Sequence, residues 1–78
     1  MYYKEKKIIS LFATRYNLML TKHEEYYELL LSNTSHLFYF HDSHISVTLE
    51  ANYNYSEHTN LYDCTISKYL KEYVEPYV

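Results

Sequence analysis

Five histidines, one cysteine and three closely spaced glutamates are the side chains here that could do chemistry. His41 and His44 flank Asp42-Ser43 and could offer two imidazoles and a carboxylate to a metal. Zinc needs three or four donors converging at roughly 2.0–2.3 Å. His36 is one strand position out of phase with that pair, and nothing else completes the set. Cys64 and His58 are a thiol and a base close in sequence, but Cys64 falls on the polar side of a predicted helix, with no third group to orient the base. Glu24, Glu25 and Glu28 read as a solvated edge, not as an acid and base sharing a pocket. The chain has no glycine. Phosphate-cradling loops, the dinucleotide fingerprint and the nucleophile elbow all need glycine where the backbone approaches closely or turns sharply. The reading is therefore non-enzymatic, with no cofactor and no metal.

The elements that must position these residues follow from periodicity. From Lys4 to Tyr16, Ile8, Ile9, Phe12, Ala13 and Tyr16 recur at helical spacing, with Lys7, Ser10 and Thr14 opposite, and Asn17 is a left-handed stop. A second stripe, Tyr62, Ile66, Tyr69, Leu70, Tyr73 and Val74, predicts a C-terminal helix. Asn60 is its expected N-cap, Asp63 lies at its positive end, Lys71 and Glu75 form an i, i+4 pair, and Pro76 stops it. His44 to Tyr55 alternate strictly, with Ile45, Val47, Leu49, Ala51, Tyr53 and Tyr55 on one side, which predicts one long strand with a dry face. The aromatic run His36–His41 precedes it across the two-residue loop Asp42-Ser43. That loop sets the register: His41 faces His44, Phe40 faces Ile45, and Phe38 faces Val47.

Residues 18 to 32 admit two readings. Thr21-x-x-Glu24 is a capping-box pattern compatible with a helix. The alternative makes Leu18–Thr21 and Tyr26–Leu31 two strands, the second turning through Ser32-Asn33-Thr34-Ser35. Strands are preferred, because a lone hairpin is marginal and needs a neighbour. The predicted fold is α+β: a small two-layer domain spanning residues 1–78, with an N-terminal helix, a three- or four-stranded antiparallel meander, a C-terminal helix, and both helices on one face of the sheet. Without glycine, positions needing positive φ fall to Asn or Asp.

Charge is unevenly placed. Residues 1–21 carry a net +3, residues 22–63 a net −6, and residues 64–78 none. The acidic middle includes the outward side of the predicted strands, which would show Tyr26, Glu28, Leu37, Tyr39, His41, His44, Thr48 and Glu50. Tyrosine buries a large ring at low entropic cost, and carboxylates steer association with basic surfaces. These eight residues are the candidate partner-binding face, and the expected partner is a basic protein, such as a nuclease or another protein that handles nucleic acid.

In size and charge layout the chain resembles the compact inhibitors that phages and other mobile elements make against host nucleases and defence complexes, anti-CRISPR proteins among them. The resemblance covers general character, and no residue is carried over from it. Two other classes stay open: a nucleic-acid-binding regulator of winged helix-turn-helix type using Lys4, Lys6, Lys7 and Arg15, and a homo-oligomeric module. The acidic middle, with Lys22 as its one base, speaks against direct nucleic-acid binding by the sheet face. With 47% hydrophobic residues and one cysteine, the 78 residues form one core without a disulfide framework. The absence of a long apolar run or a signal-peptide h-region points to a cytoplasmic protein with no membrane contact.

Overall fold

The computed structural model describes the backbone of all 78 residues and every side chain except that of Cys64. Its order is α1 (Tyr3–Tyr16), β1 (Met19–Lys22), β2 (Tyr26–Leu31), β3 (Thr34–Phe40), β4 (Ile45–Ala51), β5 (Asn54–Leu61), a 3-10 turn at Tyr62–Cys64, α2 (Ile66–Tyr73), and a final 3-10 turn at Glu75–Tyr77. The strands form one antiparallel meander in chain order, β1-β2-β3-β4-β5. Among the described residues, no helix is long and apolar enough to cross a membrane.

Both helices cover the same sheet face. Ile9 and Ala13 of α1 and Ile66, Tyr69 and Leu70 of α2 pack with Val74 against Leu29, Leu31, Phe38, Ile45, Val47 and Leu61. The register of β3 and β4 is the expected one, with Phe40 opposite Ile45 and Phe38 opposite Val47. Residues 26–31 are strand, as preferred, while the first strand is Met19–Lys22, one residue later than Leu18–Thr21. Asn17 closes α1 in the left-handed region at φ 56°. Its N–H donates to Thr14 O at 3.3 Å and the Leu18 N–H donates to Ala13 O at 2.8 Å, the paired bonds of a Schellman ending.

The sheet has five strands, not three or four. The predicted single strand from His44 to Tyr55 breaks at Asn52-Tyr53, where φ is 54° and 66°, and the chain returns as β5 with Ala51 opposite Asn54. Two consecutive left-handed residues are the geometry of a tight type I′ hairpin, but a tyrosine carries none of the sequence signal that Asn-Gly would give. The restriction of positive φ to Asn or Asp also fails. Tyr2, Ser32 and Tyr53 take it beside Asn17, Asn52 and Asp63.

The C-terminal helix begins later than its apolar stripe suggests. Asn60 is not its cap but a β5 residue opposite Ser46. Asp63 sits in the 3-10 turn at φ 58°, and Thr65 occupies the N-cap position of α2 without a side-chain capping bond. Tyr62 therefore lies outside the core, 58% exposed. Glu75 is not seen paired with Lys71; its Oε2 accepts from the Tyr16 hydroxyl at 3.0 Å and ties the end of α1 to the chain after α2.

Candidate partner-binding face

One sheet face lies under the helices; the other carries no element. Side chains alternate across a strand, so the pairing register arranges the outward residues in rows. Met19, Leu30, Ser35, Glu50 and Tyr55 form the first row, and Thr21, Glu28, Leu37, Thr48 and Glu57 the second. Tyr26, Tyr39, Ser46 and Asn60 form the third. The expected residues Tyr26, Glu28, Leu37, Tyr39, Thr48 and Glu50 thus share this face. His41 and His44 stand at its border, in the β3–β4 turn.

The third row begins with an aromatic stack. The His23 and Tyr26 rings lie 4.3 Å apart, and Tyr26 and Tyr39 4.8 Å apart, both close to parallel. A second stack lies at the β3–β4 turn. His41 stacks on His44 at 4.6 Å, and His44 on Tyr62 at 5.1 Å. His41 Nε2 and Ser46 Oγ are 2.8 Å apart, which links the turn to the third row. The Tyr2 hydroxyl donates to the His41 carbonyl at 2.5 Å and lies 3.1 Å from that of His44. The turn is thereby fixed to the chain before α1. Neither His23 nor Tyr62 is assigned to this face by the sequence, because Tyr62 falls in the C-terminal helical stripe and His23 lies outside the alternating segments; the cross-strand pairing of Tyr26 and Tyr39 is what brings His23 into line.

Glu28 is held in place. Its Oε2 accepts from the Ser35 hydroxyl at 2.8 Å, and its Oε1 lies 3.9 Å from His23 Nε2. Glu50 and Glu57 have no hydrogen-bond or ion-pair partner among the described residues and remain available. Burial first, then the neighbouring Tyr26, Tyr55 and Glu28, raise the Tyr39 hydroxyl above its ordinary range, so it stays a neutral donor. Leu37 corrects an expectation. It was read as an exposed contact but is 5% exposed, enclosed on the central strand by Glu28, Thr48, Ser35 and Tyr39. It is a floor under the face, not part of its surface.

The two layers differ in charge. The helical segments hold Lys4, Lys6, Lys7, Arg15, Lys68 and Lys71 against three carboxylates, whereas the chain between them holds Lys22 against seven. Part of the basic set is engaged: Lys6 Nζ sits 5.1 Å from the Phe40 ring centre and 5.9 Å from that of Tyr27, and the Arg15 guanidinium sits 5.3 Å from that of Tyr16. Residues 22–32 form the end of β1, a turn and β2. The second helix that a helix-turn-helix would place there is not present.

As for catalysis and metals, no group of three or more His, Cys, Asp or Glu among the described residues could hold a metal ion. His58 packs edge-on against Tyr69 and Tyr73 at 5.7 and 4.7 Å; the Cys64 side chain, its candidate partner, lies outside the described residues. Glu24 and Glu25 are exposed in the β1–β2 turn. Comparison with protein families, curated proteins and solved structures finds no match to this chain.

Proposed function

We propose that this protein is a small non-enzymatic binding module that docks its uncovered sheet face on a basic protein surface, acting as an inhibitor or regulator of a protein that handles nucleic acid. The observation that carries this reading is one arrangement: an aromatic stack, His23–Tyr26–Tyr39, beside the carboxylates Glu28, Glu50 and Glu57 on a sheet face with no helix over it. Stacked tyrosines offer area at low entropic cost, and the surrounding negative charge favours encounter with a cationic surface. A protein that occupies the nucleic-acid groove of another blocks it without doing chemistry, and this is the mode we propose for a chain that resembles the mobile-element anti-defence inhibitors, anti-CRISPR proteins included, in size and charge.

The test is capture from nuclease-treated lysate by the wild-type protein and by a Tyr39→Ala, Glu50→Lys double variant, followed by assay of the captured protein's nucleic-acid activity. The expected result is a captured basic protein whose activity falls on titration with wild type and is unaffected by the variant. Equal capture by both would remove this face from consideration. Binding of free DNA that weakens steeply with salt would favour the regulator reading with the basic helix α1. A mass near twice 9.6 kDa, lost in the double variant, would favour self-association.

A further inference from the structure

We infer that the outward face contains a receptor slot for a single arginine side chain of the partner, at the β4–β5 bulge. The inference rests on the docking reading and specifies which residue type the face recognises.

The slot arises from a local irregularity in pairing. Val47 lies opposite Thr59 and Thr48 opposite Glu57, so His58 is an extra residue and the ladder shifts there. A bulge locally widens and twists the strand pair. Here it directs the His58 ring toward Tyr69 and Tyr73 of the helical layer, leaving Glu57 in the second outward row. On β4 the two outward residues at this level are Ser46 and Thr48, both small. Large neighbours around small residues leave a hollow, and one of about 330 Å³ is present, lined by Ser46, Thr48, Glu57, Thr59 and Asn60 together with Val47 and His58.

The lining defines the ligand. It holds one carboxylate without a partner among the described residues, the hydroxyls of Ser46 (also in contact with His41), Thr48 and Thr59, the Asn60 amide and the His58 imidazole, and no Lys or Arg. A carboxylate and several neutral acceptors match a guanidinium, which is planar, has five donors and is weakly enough hydrated to leave water for a partly enclosed site. An ammonium is a more strongly hydrated point charge and does not use the spread of acceptors. Anionic ligands are disfavoured by Glu57.

The experiment is a titration of ¹⁵N-labelled full-length protein with N-acetyl-arginine-methylamide, the lysine analogue and the citrulline analogue, which keeps the shape of arginine and lacks its charge. The expected result is saturable shifts centred on Ser46, Thr48, Glu57 and Asn60 with the arginine compound, about threefold to tenfold weaker binding of the lysine compound, and none of the citrulline one. Glu57→Gln is expected to weaken arginine binding by about tenfold, and Glu72→Gln, on the exposed side of α2, to leave it unchanged. Equal response to arginine and lysine, shifts spread over all carboxylates alike, or undiminished binding in Glu57→Gln would overturn the slot. The docking face stands or falls separately, on capture by the Tyr39→Ala, Glu50→Lys variant.

Discussion

The Tyr69 hydroxyl lies 2.8 Å from Nδ1 of His36, inside the layer between helix α2 and the sheet. This contact gives a polar partner to an imidazole that is 5% exposed, in a core otherwise built from aliphatic and aromatic groups. The Tyr69 ring also meets Phe38 edge-on at 5.5 Å, so one side chain anchors α2 to the central strand by both polar and apolar contacts.

Acid should weaken the fold through His36. Burial, with a smaller contribution from the charge of His58, lowers its pKa to about 4, whereas in the unfolded chain it titrates near its ordinary 6.5. Between these values the unfolded state binds the extra proton, so stability falls as pH drops from 6.5 toward 4. The loss is at most about 1.4 kcal/mol per pH unit, about 3 kcal/mol across the window. Urea midpoints measured from pH 7 to 4 should show this slope. A His36→Leu, Tyr69→Phe variant should flatten it, and an unchanged slope would assign the effect to another group.

The same pair predicts a non-additive mutant cycle. Tyr69→Phe leaves the buried Nδ1 without its partner and should cost about 1–3 kcal/mol. His36→Leu leaves the Tyr69 hydroxyl unpaired, with a similar loss. The double variant should be more stable than the sum of the two losses implies, because no polar group is left unmatched. Additive losses in denaturant unfolding would mean that the hydrogen bond adds nothing.

Tyr53 is expected to be a stabilising target. It holds φ 66° while 92% exposed, a conformation that costs a residue with a β-carbon about 1–2 kcal/mol. Tyr53→Gly should therefore raise the thermal midpoint by several degrees, at about 4–8 °C per kcal/mol for a domain of this size. A lowered midpoint would show that the exposed ring contributes contacts that outweigh the strain.

Partner association should respond to salt in its rate more than in its lifetime. Glu50 is half-buried on the outward face and makes no hydrogen bond or ion pair among the described residues, so Glu50→Gln is expected to slow association at low ionic strength while altering dissociation little. Surface plasmon resonance at about 50 and 300 mM salt would resolve the two. A change confined to dissociation would place Glu50 inside a close contact rather than among the steering charges.

Much of the architecture was legible because period and burial agree. The stripe through Ile9 and Ala13 appears where hydrophobic spacing puts it, the β3–β4 register where the two-residue loop puts it, and the strand at Tyr26–Leu31 where the need of the hairpin for a neighbour puts it. What escaped did so for local reasons. The apolar–polar alternation runs unbroken through Asn52-Tyr53 in the sequence, so two strands read as one, although the turn puts Tyr55 on the opposite face from Ala51 and leaves Tyr53 and Tyr55 exposed. The stripe from Tyr62 continues at helical spacing, although Asp63 interrupts the backbone with a left-handed residue. Leu37 has the phase of an outward residue but lies on the central strand, where neighbours on both sides enclose it. Position within a sheet is a property of the assembled strands, which spacing along one segment does not encode. The bulge at His58 was hidden for the same reason, and with it the hollow beside Glu57.

Each strand of the meander pairs only with those before and after it in the chain, across three tight turns and the short His23–Glu25 connection. Closing such small loops costs little entropy, so pairing can begin at any hairpin and spread outward, and refolding on the order of milliseconds or faster is expected. Assembly by local zippering leaves few long-lived, half-paired forms in which sticky tyrosines would be exposed at the wrong time.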